Sequence, residues 1–92
     1  MQCEVEWDPA KEQANFRKHG VRFSKALTAL EDDYALTIED DYPGERRFIT
    51  LGRDETGQLL VVVYTYREDM VRIISARRAT LAERAAYEQG DR

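Results

Sequence analysis

The sequence predicts a single α+β domain in which helices pack on one face of a mostly antiparallel sheet. Three observations predict this fold class. Strand-like segments with short turns between them fill residues 46–77, which is typical of hairpins. Helix signals flank that region on both sides. The 92 residues suit one domain with one core. The expected order is β-α-α-β-β-β-β-α, which gives a two-layer domain.

The first strand and the first two helices are predicted in residues 4–30. Glu4–Trp7 alternates as a short strand does. Asp8-Pro9 begins a helix, because Asp caps free backbone N–H groups and Pro fits the first helical position. That helix runs to about His19, and Gly20 supplies its left-handed end. Ser24 is expected to cap a second helix, whose apolar residues recur at helical spacing: Phe23, Ala26, Leu27 and Leu30.

Four strands and a last helix are predicted in the remaining residues. The strands are Ala35–Glu39, Arg46–Arg53, Gln58–Tyr66 and Met70–Arg77. A turn at residues 42–45, a loop at 54–57 and a two-residue turn at 68–69 separate them. Thr80 and Glu83 match a capping box for a final helix that runs through about Glu88.

The loop lengths predict how the strands pair. A two-residue loop at 68–69 sets Arg67 opposite Met70 and Thr65 opposite Arg72, whereas the loop at 54–57 sets Arg53 opposite Gln58 and Phe48 opposite Val63. Side-chain alternation then gives two faces. The face expected to pack on the helices carries Ile49, Leu51, Leu60, Val62, Tyr64, Tyr66, Val71, Ile73 and Arg77. The other carries Arg46, Phe48, Thr50, Val61, Val63, Thr65, Arg67, Arg72 and Ile74.

The composition indicates a protein of the cytoplasm with no membrane contact. Hydrophobic residues make up 42% of the chain and charged residues 35%. Its longest apolar run, Leu59–Tyr64, is of strand length and far short of the roughly 20 residues that span a bilayer. The N-terminus lacks the basic-then-apolar order of a secretory signal. The single cysteine, Cys3, cannot form an internal disulfide and is expected to be a small buried residue at the start of a strand.

Charge is distributed unevenly along the chain. Residues 46–78 hold seven arginines and a net charge of +3, within a chain whose net charge is −4. Because the planar arginine fork donates two hydrogen bonds at once, this region suggests a surface for phosphate or RNA. The alternative is that these arginines only keep exposed strand positions soluble. Residues 31–45 hold seven acids and no base, which indicates either a solvated face or a docking site for a basic partner.

Several specific motifs occur in order along residues 7–87. They are Trp7-Asp8-Pro9-Ala10-Lys11, Asn15, the KHGVRF run from Lys18 to Phe23, Arg46-Arg47-Phe48, Leu51-Gly52, residues 62–67, the RIISARRA run from Arg72 to Ala79, Glu83-Arg84 and Tyr87. Together they resemble the BrnT toxins, the ribonuclease halves of type II toxin–antitoxin modules. The resemblance implies a RelE-like fold and metal-independent RNA cleavage that arrests growth. It also implies neutralisation by a BrnA-like antitoxin in a heterotetramer, with operator DNA contacted only through the antitoxin.

The candidate site residues follow from what metal-free RNA cleavage needs. The substrate's 2′-hydroxyl is the nucleophile, so the protein supplies orientation, a base, an acid and positive charge. Arg67 and Arg77 are the first choices for the charge. RNA-binding residues are expected at Arg47, Arg72, Arg78 and Lys18.

The general base is less clearly indicated. Histidine is a common general base in proteins, but at a helix end His19 can simply offset the helix dipole. Tyr66 or Tyr64 can assist proton transfer or stack on a base, although packing is the favoured role of Tyr64. Glu39 or Glu45 can act as base if it lies near Arg67. The sequence shows no metal-ligand spacing, so no metal and no cofactor is expected.

Two other functions fit the sequence. One is a non-catalytic RelE-like binding module that acts only with its antitoxin, as a co-repressor. The other is direct DNA binding by the arginine-bearing face. The acidic total argues against the second, and so does the lack of a helix with basic residues along one side.

Overall fold

The computed structural model describes residues 4–90 and has the predicted order of elements. In that range lie β1 (Glu4–Glu6), α1 (Pro9–His19), α2 (Phe23–Ala29), β2 (Leu36–Tyr42), β3 (Glu45–Arg53), β4 (Leu59–Arg67), β5 (Met70–Arg78) and α3 (Leu81–Glu88). The predicted α+β fold class is confirmed. Cys3, predicted to lie buried at the start of the first strand, falls outside the described residues.

The described strands form one sheet in the order β1-β5-β4-β3-β2. Strands β2 to β5 follow one another as antiparallel hairpins, whereas β1 pairs with β5 in parallel. β2 continues to Tyr42 rather than ending at Glu39, because the turn after it is shorter than predicted. Tyr42 pairs with Glu45, and Gly44 takes a φ of 80° in the tight connection between them.

The core lies between α1, α2 and one face of the sheet, called the helix face. Its buried residues are Val21, Phe23, Ala26, Ala29, Leu60, Val62, Tyr64, Val71, Ile73 and Ala76. Gly52 on β3 lets α2 approach closely, since a Cβ there would lie 2.5 Å from the carbonyl oxygen of Ala29. The opposite side of the sheet, which carries Arg47, Thr65 and Arg72, is called the arginine face.

A buried amide holds α1 against β5. The helix begins and ends as predicted, with the Asp8 carboxylate as its cap and Gly20 at a φ of 71°. Between them Asn15, only 7% exposed, hydrogen-bonds both backbone groups of Ala76 and the carbonyl of Val21. β1 pairs with β5 only at residues 70–72. Asn15 therefore satisfies backbone groups of β5 that β1 does not reach.

The second helix begins before Ser24, so the predicted Ser24 cap is wrong. Arg22 stands at the N-cap without a side-chain capping bond, and Phe23 is the first helical residue. Glu12 on α1 takes over the role, because its carboxylate accepts from the N–H of Phe23 at 3.4 Å and from Arg22 at 3.2 Å. Phe23 is thereby placed in the core.

The β4–β5 register is as predicted, whereas the β3–β4 register differs by one residue. Arg53 lies opposite Leu59 rather than Gln58, because the loop takes in Gln58 as well. Asp54 organises this loop: its Oδ1 accepts from the N–H and hydroxyl of Thr56 at 2.8 and 2.6 Å and from the N–H of Gln58 at 3.0 Å. Strand β3 is therefore one residue out of its predicted alignment.

Six side chains consequently lie on the face opposite to the predicted one. On β3 the cause is the shifted register, which sets Phe48 opposite Tyr64 instead of Val63. On β5 the cause is a bulge beside residues 63 and 64 of β4. Arg46, Phe48 and Thr50 lie on the helix face, and Ile49, Leu51 and Arg77 lie on the arginine face.

The last helix packs on the arginine face, at the end of the sheet where β3 finishes. Its capping box is present as predicted, with Thr80 and Glu83 hydrogen-bonded to each other's backbone. Glu83 binds Arg77, and the Tyr87 ring lies below the Arg53 guanidinium. The expectation that helices cover one face therefore holds for α1 and α2 and not for α3. None of the helices within residues 4–90 is long and apolar enough to cross a membrane.

Candidate functional site

Two arginines flank a threonine near one end of the arginine face. The pairing sets Thr65 of β4 opposite Arg72 of β5 on one side and opposite Arg47 of β3 on the other. Neighbouring strands are about 4.8 Å apart, so the two arginine backbones are about 10 Å apart. We call Arg72, Thr65 and Arg47 the arginine row. Both arginines therefore belong to one face of the sheet, on either side of Thr65.

Carboxylates orient both guanidinium groups of the arginine row. Arg72 Nη1 donates to Glu6 Oε2 at 2.8 Å, and Arg47 Nε donates to Glu45 Oε1 at 3.0 Å. Arg47 also lies over the Tyr42 ring, 3.7 Å from its centroid. The arginine side chains remain 27% and 24% exposed. Since a guanidinium has five N–H donors, each keeps donors for a ligand.

Arg67 extends the arginine row along β4. It ends β4, two residues beyond Thr65 and on the same face. Continuing the β3–β4 ladder by two residues sets Glu45 level with it. Among residues 4–90, Arg67 forms no ion pair, and it is exposed to solvent. Arg67 is thus placed to meet an incoming anion.

Arg77, predicted to be catalytic, lies away from Arg67. Its Nη1 and Nη2 donate to the two carboxylate oxygens of Glu83 at 2.9 and 2.8 Å. These hydrogen bonds lower the pKa of Glu83 to about 2 and raise the pKa of Arg77. Along β5, Arg77 is about 15 Å from Arg72 at the usual rise per residue. The structure therefore ties Arg77 to α3 and does not bring it into the arginine row.

His19, Lys18 and Arg78 form a separate group beside the end of α1. Arg78 Nη1 approaches the His19 carbonyl at 3.4 Å, and its guanidinium lies beside Gly20. Lys18 is exposed in the last turn of the same helix. Because Arg78 is at the far end of β5 from Arg72, the structure does not bring this group together with Arg67. A catalytic role for His19 stays a prediction.

Tyr66 lies at the same end of the sheet as Arg67 but on the helix face. It contacts Phe48 and Tyr64 edge-on, with ring centroids 5.3 and 6.0 Å away. Its ring is 53% exposed, so solvent reaches it. Tyr66 follows Thr65 of the arginine row in the chain, but its side chain lies on the opposite face of the sheet.

Of the two carboxylates predicted as a general base, Glu45 is the one beside the arginine row. Glu39 lies opposite Phe48 on the helix face and pairs with Arg46 at 3.2 Å. Glu45 is bound to Arg47 and lies level with Arg67. The geometry therefore favours Glu45 for proton transfer on the arginine face.

Part of the acidic segment 31–45 is structural. Asp32 accepts from the N–H groups of Arg53 and Tyr34 at 2.8 and 3.0 Å and from the Tyr87 hydroxyl. Burial acts to raise the pKa of Asp32, but these hydrogen bonds outweigh it and lower the pKa. Asp32 thereby joins α3 to the turn before β2.

Metal-ligand geometry is missing from the part of the chain that the structure describes. No three His, Cys, Asp or Glu side chains among residues 4–90 are grouped closely enough to hold a metal ion. Glu45 and Glu6, beside the arginine row, are instead bound to arginines. Positive charge at this site comes from guanidinium groups.

Sequence reasoning did not find Glu6 and Tyr42 as neighbours of the arginine row. Glu6 reaches Arg72 through the parallel pairing of β1 and β5, across 66 positions of sequence. Neither strand's own pattern indicates that pairing. Tyr42 was assigned to a turn, whereas β2 extends to it; Asp40 and Asp41 before it break the apolar alternation that would have indicated a strand.

One family model matches most of this chain, and one solved structure has a similar fold. A family model described as the ribonuclease toxin BrnT of type II toxin–antitoxin systems matches residues 7–83. The fold is similar to the crystal structure of the Brucella abortus ribonuclease toxin BrnT, with a TM-score of 0.64 and 21% sequence identity. That similarity covers 86% of this chain and 99% of the Brucella chain. No match to a curated protein was found.

Proposed function

Since the chain belongs to the BrnT family of ribonuclease toxins of type II toxin–antitoxin systems, we propose that it is a metal-independent endoribonuclease that cleaves RNA and arrests growth. One observation carries this proposal: the arginine row and Arg67 place three guanidinium groups at one end of the same face. Carboxylates hold two of these groups, and Arg67 is exposed. Such an arrangement suits binding of a phosphodiester.

The proposed reaction uses the substrate's own nucleophile. The 2′-hydroxyl of a ribose attacks the neighbouring phosphorus, and the bond to the 5′-oxygen breaks. The products are a 2′,3′-cyclic phosphate and a 5′-hydroxyl, whose oxygen takes up a proton. Negative charge grows on the phosphoryl oxygens in between, where Arg47, Arg67 and Arg72 stabilise it. Since the guanidinium groups carry permanent charge, they take the electrostatic role that a metal ion has in other nucleases.

We propose that Glu45 accepts the proton of the 2′-hydroxyl. Its position beside Arg47 and level with Arg67 supports this, because a base must lie within hydrogen-bond reach of the proton that it removes. Glu39 is on the other face and is less suited. Arg77 has a structural role in this scheme, because both of its Nη atoms are bound to Glu83.

The family implies an antitoxin partner, and we propose that it is BrnA-like. It would cover the arginine face, contact operator DNA and form a heterotetramer of two toxins and two antitoxins. The toxin would meet DNA only through this partner, and it would act in the cytoplasm, where its RNA substrate is. Copurification of the two proteins, weakened when Arg47 and Arg72 are changed to Glu, tests the docking face.

Growth arrest tests the proposed function. Expression of the chain alone should stop growth, and the double variant Arg47→Ala/Arg72→Ala should relieve the arrest. Arg84→Ala is the matched control, because Arg84 is an exposed arginine of α3, on the other end of the arginine face. If the wild-type protein accumulates in folded form and is harmless in several hosts, the proposed ribonuclease activity is wrong. The alternative is then a non-catalytic module that acts with its antitoxin as a co-repressor.

A further inference from the structure

An aromatic cluster lies on the helix face at the same end of the sheet as the arginine row, and the proposed cleavage does not use it. Phe48 and Tyr64 are stacked, with centroids 5.7 Å apart and planes at 23°, and Tyr66 meets both edge-on. Tyr64 is fixed in the core, where its hydroxyl lies 2.9 Å from Thr50 Oγ1. Phe48 and Tyr64 therefore pack against the core, while Tyr66 is 53% exposed.

A pocket opens next to this cluster, at the end of the sheet. It is lined by Gly44, Glu45, Arg46, Phe48, Thr65 and Tyr66. Glu45 and Thr65 come from the arginine face, whereas Phe48 and Tyr66 come from the helix face. The pocket thus lies where the two faces meet. Space beside Gly44 is open, since a Cβ added there would meet nothing within 4 Å.

We propose that this pocket is a nucleobase subsite for single-stranded RNA, with the Tyr66 and Phe48 rings as its stacking surface. The inference rests on the proposed ribonuclease function. It adds a location for the base next to the bound phosphate. A nucleobase has flat faces that stack on aromatic rings, and this stacking tolerates any base. Arg46, which also lines the pocket, carries a planar guanidinium over which a base can lie.

The chain connects the pocket to the phosphate site directly. Tyr66 stands between Thr65 and Arg67 on β4, and Arg46 precedes Arg47 on β3. A strand whose phosphate lies on the arginine row therefore needs to turn only one base around the end of the sheet. A base within a duplex is stacked on both sides and paired, so it cannot enter this pocket without being extruded. The subsite accordingly selects unpaired RNA.

A binding experiment with an uncleavable RNA tests the subsite. The probe is a fluorescent single strand with 2′-O-methyl groups, which block the nucleophile, and its partner is the same strand with abasic residues. Binding is followed by anisotropy. Tyr66→Ala should weaken binding to the first probe about 5- to 150-fold, the range for loss of one stacked base. Tyr66→Phe, which keeps the ring, should bind within about threefold of the wild type.

Two controls separate stacking from general damage. Tyr34→Ala removes another exposed tyrosine, away from the pocket, and should bind as the wild type does. The abasic strand should not distinguish Tyr66→Ala from the wild type, because it has no base to stack. Circular dichroism confirms that each variant is folded.

The outcomes distinguish this inference from the function on which it rests. If Arg47→Ala/Arg72→Ala weakens binding and folded Tyr66→Ala does not, the subsite is wrong and the phosphate site stands. Equal weakening of both strands by Tyr66→Ala would also overturn the subsite. A wild-type protein that binds neither strand would overturn both proposals.

Discussion

Arg72 and Arg47 lie on opposite sides of the same residue, each directly across from Thr65 of β4. Their guanidinium groups are held by carboxylates from different strands, Glu6 for Arg72 and Glu45 for Arg47. The pair is therefore oriented before any ligand arrives, so that little side-chain entropy is lost when a phosphate binds. This preorganisation is the physical basis of the predictions on RNA.

The salt dependence of RNA binding should fall when an arginine of the arginine row is removed. Each phosphate contact with single-stranded nucleic acid adds about 0.7 to the slope of log affinity against log salt concentration. We expect Arg47→Ala and Arg72→Ala each to lower that slope by about this amount, measured by anisotropy at several salt concentrations. Arg84→Ala should leave the slope unchanged. A flat salt response of the wild type would contradict a phosphate site here.

The Arg77–Glu83 pair should stabilise the fold in a pH-dependent way. The folded pKa of Glu83, about 2, is below its ordinary value of 4.5, so its contribution is present above the ordinary value and is lost as pH falls through about 2. Because the two side chains are 39% and 32% exposed, we expect only about 1 kcal/mol. Urea unfolding of Glu83→Gln should show this deficit at neutral pH and a shrinking one below about pH 4. A deficit that is constant down to pH 2 would contradict it.

Removal of the Asn15 amide should be strongly destabilising. Asn15→Ala leaves the N–H and carbonyl of Ala76 and the carbonyl of Val21 without their partner in a buried place. We expect a loss of about 3 kcal/mol in the free energy of unfolding, from several unsatisfied groups. Gln13→Ala, an exposed position of the same helix, is the matched control and should cost under about 0.5 kcal/mol. Equal stability of the two variants would show that α1 is held in another way.

A methyl group at Gly52 should separate α2 from the sheet. Its Cβ would lie 2.5 Å from the Ala29 carbonyl oxygen, which is backbone and cannot rotate away. We expect Gly52→Ala to cost about 3 kcal/mol of stability in thermal or urea unfolding. Gly44→Ala makes a useful comparison, because its φ of 80° is strained but the space is open, and it should cost about 1 kcal/mol. A smaller effect at Gly52 than at Gly44 would contradict the close packing.

Local signals predicted the elements of this fold well. The caps of α1 and α3 and the two-residue turn at 68–69 are each encoded within a few residues, and they lie where the sequence indicates. Features that depend on particular side-chain contacts were missed. Glu12 replaces the expected Ser24 cap from another helix, and hydrogen bonds of Asp54 within its own loop lengthen that loop and shift β3. The pattern of apolar and turn residues indicates neither contact.

The sequence predicted the faces of some candidate site residues and not of others, depending on whether local turns fix the register. Arg67 and Arg72 were assigned to one face correctly, because a tight turn fixes the β4–β5 register near them. Arg77 was placed on the wrong face, because the bulge between it and the turn reverses the alternation. Glu6 was not considered, since its position depends on a parallel pairing between the two ends of the chain. The faces of the site residues could therefore be predicted from the sequence only where the strand register was predicted correctly.

Cleavage of a labelled RNA by the purified protein, free of any antitoxin and with EDTA present, tests the central claim most directly. The wild-type protein and Arg84→Ala should leave 2′,3′-cyclic phosphate ends. Arg67→Ala and Arg47→Ala/Arg72→Ala should cleave at least about 100-fold more slowly, the usual loss when a group that stabilises a transition-state charge is removed. Cleavage that EDTA abolishes, or that the arginine variants retain at the wild-type rate, would contradict a metal-independent ribonuclease acting through the arginine row.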